Sequence, residues 1–319
     1  MIMQGENSSY VPIASSPDIA LIEEELQRHR SEMLFEIDPL ECYLFSYEQI
    51  PNLMREIAIR REEAFRSVGE GTGKELDTDS FDCYYKHLVL WNKSTKSLVG
   101  AYRIGLGREI MEQHGGMQGF YITTLFNFKE EFSPVLAETI ELGRSFVSLS
   151  HQKDTIALLL LIKGILYVTI KYPEYKYLLG PVSISSWYPM RYRSLMVYYL
   201  RKYHNSPQYS PMVSAKSPFE TDFEGENPEE LLAGKSANLE MFDRFLLRQS
   251  ESKYRMPSLL KKYLKLGAKI IEFNVDPDFN YCVDGLIMLT LSDVAVDDID
   301  SLTKEFEDRA LIYRRFYGV

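Results

Sequence analysis

The chain has 319 residues and a formal charge of −10, from 36 Lys and Arg against 46 Asp and Glu. A composition of 45% hydrophobic and 13% aromatic residues supports a sizeable core and excludes a disordered chain, and the length allows one large domain or two ordinary ones. The acidic balance argues against a nucleic-acid-binding protein, because such domains usually carry a basic surface. Three widely spaced cysteines, Cys42, Cys83 and Cys282, exclude a disulfide framework and a cysteine-based zinc site.

The N-terminal sequence MIMQGENSSY lacks the basic and apolar regions of a secretory signal. The most apolar stretch, 155–170, is interrupted by Lys163 and Gly164. It is also shorter than the roughly 20 apolar residues that a bilayer span needs. We therefore predict a cytoplasmic protein whose contact with the inner membrane, where it occurs, is peripheral.

Taken in chain order, residues 1–39 are predicted to form a helical arm on the outside of the protein, with Pro17 and Asp18 near the helix start. The predicted strands that follow are 41–47, 83–91, 98–106, 139–149, 177–185, 268–275 and 284–291. The predicted helices are 48–66, 155–171, 186–204, 239–250, 258–266 and 300–315. A polar, proline-containing insertion is expected at about 205–238. Alternating strands and helices around a hairpin indicate a mixed α/β sheet within one domain at 40–319.

Several common catalytic motifs are absent from the sequence, namely GxSxG, GxxxxGK[ST] and HExxH, and no histidine spacing suggests a metal site. His87 is followed by Asn92, where a glycerolipid-type acyltransferase would carry an aspartate. The segment 66–71, RSVGEG, matches the [QR]xxGxG pattern that holds the pyrophosphate of coenzyme A. It ends a predicted helix and leads into an acidic loop, so we interpret this match as fortuitous.

An ordered series of charged residues lies beside the predicted strands. Its members are Arg61 with Phe65 four residues on, Asp79 and Asp82, Arg103 within GAYRIG, and Glu141 and Arg144 within ELGRSFV. Because buried charge is costly unless it is paired, the simplest interpretation is a structural network that joins the two aspartates to Arg103 and Arg144.

At these residues the sequence resembles the acyl-carrier-protein-dependent N-acyltransferases of the GNAT superfamily, the ornithine- and glycine-lipid synthases that are often labelled hemolysin-like. The acyl-homoserine-lactone synthases share the same skeleton. Further matches lie at 69–82, 178–185 and 257–280, so the resemblance spans about 40–292. It implies an α/β fold with a GNAT-like mixed central sheet, splayed central strands and flanking helices.

The resemblance also implies roles for the charged series. Glu141 is the candidate general base, and Arg144 and Arg103 would orient it and the acidic loop. The remaining residues would shape the acceptor site and its entrance: Asp79, Asp82, Arg61 and Phe65. The chemistry is consistent, because an amine is mostly protonated at pH 7 and burial in an apolar strand makes a carboxylate a stronger base.

The donor implied by the resemblance is an acyl carrier protein, and the poor phosphate loop at 152–157 makes coenzyme A a less suitable donor. No separate cofactor is expected. Acyl carrier proteins are acidic, so the basic helix at 187–204 is a candidate docking surface. Its cations are Arg191, Arg193, Arg201 and Lys202.

The predicted reaction moves a fatty or 3-hydroxyfatty acyl group to the α-amine of an amino acid such as ornithine or glycine. Two alternatives remain open. The first is an acyl-homoserine-lactone synthase, although no tryptophan follows Phe65 in the GEG loop where those enzymes usually have one. The second is a non-catalytic lipid- or carrier-protein-binding protein, as the label hemolysin suggests.

Overall fold

A computed structural model describes residues 10–234, 238–303 and 309–317. The helices are α1 (Ile19–Arg28), α2 (Pro51–Arg66), α3 (Gly107–Gln113), α4 (Ser133–Ala137), α5 (Thr155–Lys171), α6 (Met190–Tyr203), α7 (Pro228–Leu232), α8 (Leu239–Gln249), α9 (Ser258–Lys265), α10 (Val296–Thr303) and α11 (Arg309–Tyr317). The strands are β1 (Met33–Ile37), β2 (Leu40–Ser46), β3 (Lys86–Asn92), β4 (Ser97–Leu106), β5 (Phe126–Phe128), β6 (Thr139–Val147), β7 (Tyr177–Ile184), β8 (Val213–Ala215), β9 (Lys269–Asp276) and β10 (Cys282–Thr290).

Internal contacts divide the described chain into two compact units. The first comprises the described residues up to 104 together with 144–168. The second comprises 105–143 and the described residues from 169 onward. The strand β6, which carries both Glu141 and Arg144, begins in the second unit and ends in the first.

The strands β1, β2, β3 and β4 of the first unit pair in that order, and every ladder is antiparallel. One face of β2 presents Tyr43 and Phe45 to a hydrophobic cluster that includes Ile57 of α2. The other face presents Cys42, which lies against Gly164 of α5. Helices therefore cover both faces of this sheet, which explains why consecutive residues of β2 are buried rather than alternate ones.

In the second unit, β6 pairs with β7 in parallel, and β7, β10 and β9 pair in antiparallel ladders. The β6–β7 ladder covers only three residue pairs, from Thr139 with Tyr177 to Glu141 with Leu179. The predicted mixed α/β fold is confirmed, and the early end of the parallel ladder fits the expected splaying of the central strands.

Most predicted elements are found within a few residues of their expected bounds, but two regions differ. The expected helical arm also contains β1, which adds an edge strand to β2. The expected loop at 205–238 contains β8 and α7, and β8 pairs with the unpredicted β5. Of the helix expected at 300–315, residues 300–303 belong to α10 and residues 309–315 to α11, and 304–308 lie outside the described residues.

The helix α1 packs Ile22 and Leu26 into the core of the first unit, so it is part of that unit's packing. The domain boundary expected between residues 39 and 40 stays a prediction. Among the described residues, no helix combines the length and the apolar character that crossing a bilayer requires.

Two glycines near the end of the β6–β7 ladder allow a matched test of this geometry. A Cβ at Gly180 would overlap the carbonyl oxygen of Leu142, whereas a Cβ at Gly143 would meet no atom within 4 Å. We expect Gly180→Ala to lower the free energy of unfolding by about 2 kcal/mol, because the strands must separate. Gly143→Ala should leave it nearly unchanged. Urea unfolding of both variants measures the difference, and equal effects would contradict the close approach of β6 and β7.

Candidate active site

The charged series of the first unit converges on Arg61, which α2 holds with only 1% of its surface exposed. Its guanidinium donates to both carboxylate oxygens of Asp82, at 3.2 and 2.9 Å. It also forms an ion pair with the Asp77 carboxylate at 3.0 Å and donates to the Asp77 carbonyl oxygen. Arg61 therefore lies inside a buried network, and the role at the entrance that the resemblance implied stays a prediction.

Two further arginines complete this network. Arg103 of β4 is equally buried and contacts Asp79 at 2.5 Å and Asp82 at 3.2 Å through Nη1. Arg144 of β6 contacts Asp79 at 3.2 Å and Asp77 at 3.5 Å. The expected pairing of the two predicted aspartates with arginines is present. Three guanidinium groups thus face three carboxylates, and the buried charges balance.

The electrostatics of the network favour ionised aspartates. Burial alone would raise the pKa of the Asp82 carboxyl, but the charges of Arg61 and Arg103 outweigh burial and hold that pKa well below its usual range. The pKa of Asp79 is likewise lowered, because Arg103 and Arg144 outweigh the opposing effect of its burial.

The segment that carries these aspartates is a short 3₁₀ turn before β3, and not the start of the strand. The Asp79 carboxylate caps the turn by accepting from the N–H groups of Phe81 and Asp82. His87 of β3 is fully buried and its Nε2 lies 2.9 Å from the Asp82 carbonyl oxygen. Burial lowers the pKa of the His87 imidazole to about 4, so the ring is neutral at pH 7 and donates this hydrogen bond.

Sequence reasoning missed two buried acids of the first unit. Asp77 carries the third negative charge of the network. The sequence feature that could have identified it is its position in the same acidic loop, two residues before Asp79. Glu62 of α2 accepts from the N–H and hydroxyl of Thr72 and from the N–H of Gly73, at 2.8–3.0 Å. Together these acids hold the 72–82 loop against α2.

The coenzyme A-like motif at 66–71 serves this loop instead. The three guanidinium nitrogens of Arg66 donate to Glu62 and to the carbonyl oxygens of Val11 and Lys74. A Cβ at Gly71 would overlap the Arg66 side chain. Arg66 of the motif therefore binds backbone and side-chain groups of the protein itself. This geometry agrees with the interpretation of the motif as a fortuitous match.

Phe65 is partly buried and packs against the hydrophobic cluster between α2 and the sheet. A cavity of about 550 Å³ also lies in the first unit, and its lining contains Arg60, Arg66, Ser148 and Leu149. None of the predicted site residues lines this cavity.

Glu141 lies in the second unit, on the part of β6 that pairs with β7, and only 1% of its surface is exposed. Its Oε1 accepts from the backbone N–H of Ile122 at 3.0 Å. Two residues on, Gly143 faces open space, and β6 is partly exposed at 143–145. Arg144 follows with φ +49°, a left-handed conformation that interrupts the regular alternation of side chains along the strand.

Three of the four cations predicted to dock a carrier protein already pair with carboxylates of this chain. The pairs are Arg191 with Glu224 and Glu226, Arg201 with Glu272, and Lys202 with Glu229. Arg193 differs, since its Nη1 donates to the carbonyl oxygen of Tyr281 at 3.4 Å, and burial lowers its pKa. The surface of α6 is therefore much less positive than its own sequence suggests.

Comparison with known proteins identifies the class. Residues 60–162 match the family described as the acetyltransferase (GNAT) domain. The match begins on α2, ends on α5 and contains both the buried network and Glu141. The chain is an acyltransferase with a GNAT domain, as the resemblance implied.

Two relatives narrow the family. A glycine N(alpha)-acyltransferase of Phocaeicola vulgatus is 31% identical over 253 residues, which cover 76% of this chain and 76% of the relative. A protein of the same name from Bacteroides thetaiotaomicron is 29% identical over 289 residues, which cover 88% of this chain and 84% of the relative. This chain belongs to the same family of N-acyltransferases.

Solved structures include a more distant neighbour. The acyl-homoserine-lactone synthase LasI aligns with 45% of this chain and 72% of its own, at 13% identity and a TM-score of 0.33. A similarity of that size supports no conclusion about activity.

The charge network predicts an order of stability losses. Asp82→Asn removes a fully buried charge and should lower the free energy of unfolding by about 3 kcal/mol, since Arg61 and Arg103 lose a shared partner. Asp79→Asn keeps the turn cap, and the Asp79 side chain is 23% exposed, so we expect a loss of about 1 kcal/mol. Urea unfolding at pH 7 tests this order, which equal or reversed losses would contradict.

His87 predicts a pH dependence with a defined sign. The pKa of His87 is about 4 in the folded chain against an ordinary value of 6.5, so between these values the unfolded chain binds more protons. The stabilisation that comes from the neutral His87 is therefore complete above pH 6.5 and is lost as the pH falls toward 4. His87→Gln retains a donor for Asp82 and cannot titrate. From pH 7 to pH 5 the wild type should lose about 2 kcal/mol more than this variant, and parallel profiles would contradict the buried neutral imidazole.

Proposed function

We propose that this chain transfers a fatty or 3-hydroxyfatty acyl group from an acyl carrier protein to the α-amine of an amino acid. Glycine is the first acceptor to test, because both relatives are named for it. Ornithine, which the sequence resemblance also suggested, is the second. The product is an N-acyl amino acid, the lyso-form of an aminolipid.

The observation that carries this proposal is the Glu141 carboxylate, buried on β6 two residues from the open space at Gly143. An amino acid's amine must lose a proton before it attacks a thioester, and a buried, positioned carboxylate is suited to accept that proton. The hydrogen bond from Ile122 fixes one oxygen of the carboxylate. Holding both reactants beside it would supply further acceleration.

The proposed step needs no side-chain nucleophile. Glu141 first takes one proton from the ammonium group, and the freed amine nitrogen then forms a bond to the thioester carbonyl carbon. As the tetrahedral intermediate collapses, the C–S bond breaks and a second proton passes from the nitrogen to the departing thiolate of the carrier. Backbone N–H groups where the β6–β7 ladder ends would stabilise the oxyanion.

Two features support a carrier-protein thioester over coenzyme A as the donor. At the start of α5 the Asp154 carboxylate accepts from the N–H of Ile156 at 3.0 Å, so a negative charge already occupies a position that favours anions. Within the RSVGEG segment, the Arg66 guanidinium is also committed to the Glu62 carboxylate and the Lys74 carbonyl oxygen. Both features disfavour the diphosphate of coenzyme A.

Docking of the carrier on Arg191, Arg193, Arg201 and Lys202 stays a prediction. An acidic partner would have to exchange with the glutamates that now pair with three of these cations. Any electrostatic steering by this surface is therefore expected to be weak.

The test is an assay of purified protein with acyl-loaded carrier and glycine, comparing Glu141→Gln with Glu138→Gln. The amide of Glu141→Gln can still accept from Ile122, so the fold should be kept while kcat falls by about 10²- to 10⁴-fold. Glu138 lies three residues away and pairs with Lys176 at 2.7 Å, and its variant should retain normal turnover.

Unchanged turnover in Glu141→Gln would remove Glu141 from the role of base. Release of methylthioadenosine from S-adenosylmethionine, without an N-acyl amino acid, would identify a lactone synthase and contradict the proposed reaction.

A further inference from the structure

Three large side chains of the second unit are unusually exposed on two turns. Trp187 lies in the turn before α6 and is 51% exposed, and Met190 begins α6 and is 38% exposed. Tyr281 lies between β9 and β10 and is 63% exposed. Tyr281 and Trp187 are among the most exposed large hydrophobic residues of the described chain. Single exposed apolar residues are common on protein surfaces, whereas several exposed large side chains close together indicate a binding surface.

Hydrogen bonds join the two turns. The side-chain amide of Asn280 donates to the Ser186 hydroxyl at 3.3 Å, and Arg193 donates to the carbonyl oxygen of Tyr281 at 3.4 Å. Trp187 is the next residue after Ser186, and Met190 precedes Arg193 by about one helical turn. The three exposed side chains, which we call the 187/190/281 surface, therefore belong to one connected part of the second unit.

The backbone at Tyr281 is unfavourable for that residue. Asn280 and Tyr281 have φ values of +53° and +57°. Asparagine tolerates the left-handed region, but a bulky aromatic residue rarely adopts it. Among the described residues the Tyr281 ring makes no hydrogen bond or ring contact. The strained position thus presents a largely exposed aromatic ring.

A positive charge accompanies this surface. Arg193 contacts the Phe219 ring at 5.8 Å and the Tyr281 carbonyl, and no carboxylate of the described residues pairs with it. The other basic residues of α6 considered above, Arg191, Arg201 and Lys202, are each neutralised by a glutamate. The uncompensated cation of this group therefore lies where the apolar side chains are exposed.

We propose that the 187/190/281 surface, with Arg193, docks on a phospholipid bilayer at the level of the headgroups. Tryptophan and tyrosine combine an apolar ring with a polar group and favour this zone, and a guanidinium can bind the lipid phosphate. The use of such docking rests on the proposed function: an N-acyl amino acid has an apolar chain, so the product must pass from the enzyme into a membrane.

A lipid surface fits better than an acidic carrier protein. A single arginine does not make a basic docking patch for an acidic carrier protein. Burial of Trp, Tyr and Met side chains is instead driven by the hydrophobic effect, which added salt does not weaken. Binding is therefore expected to persist at raised salt.

Trp187 provides the measurement. The other tryptophan, Trp91, is 2% exposed in the core of the first unit, so changes in acrylamide quenching and emission report on Trp187. With vesicles of phosphatidylcholine, alone or mixed with phosphatidylglycerol, we expect a blue shift of emission, protection from acrylamide and flotation with the vesicles. Trp187→Phe should still float while losing the spectral change.

A matched pair of variants tests the surface. Met190→Ser with Tyr281→Gly removes two apolar side chains, and glycine accepts the positive φ, so folding should be kept. We expect the double variant to bind vesicles at least about tenfold more weakly than the wild type. Met241→Ser changes a methionine of equal exposure, 38%, on α8, and should bind as the wild type does.

The proposal would be overturned by a wild type that floats with neither vesicle, or by a double variant that binds as well as the wild type. A Trp187 signal with acyl carrier protein but not with vesicles would also overturn it, in favour of protein docking. Because the assay contains no thioester and no amino acid, its outcome is separate from that of the turnover assay.

Discussion

A buried guanidinium group needs a compensating negative charge, and this requirement organises the first unit. Arg61 and Arg103 are almost completely enclosed, and each is held by aspartates of the 77–82 segment. The loop is consequently fixed against α2 and β4, because moving it would leave several charges without partners. His87 adds a neutral donor to the same turn and stays uncharged because it is buried beside two arginines.

The second unit contains the carboxylate to which we assign the removal of the amine's proton. Glu141 is buried on β6, held by Ile122, and followed by a stretch of strand that becomes accessible at Gly143. A rigidly placed carboxylate next to accessible space is what proton removal from a bound amine requires. Membership in a family of N-acyltransferases and this local geometry support the same reaction class.

Elements with strong apolar patterns could be predicted from the sequence. The run at β2 and the long apolar helix α5 were found within a residue or two, because burial alone determines them. The short edge strand β1 was missed, since its five residues gain their structure from pairing with β2. The charge of α6 was also mispredicted because it depends on a distant part of the chain. Arg201 is neutralised by Glu272, a residue 71 positions away that no local charge count includes. Asp77 could have been found, because it shares the acidic loop with Asp79.

The most direct test of the central claim is mass spectrometry of lipids from a host that lacks aminolipids and expresses this chain alone. The account predicts a new N-acyl amino acid, with glycine as the first head group to look for, and its head group and acyl chain would be identified together. Folded protein at normal abundance with no new N-acyl amino acid, under conditions where acyl carrier protein and amino acids are plentiful, would contradict it.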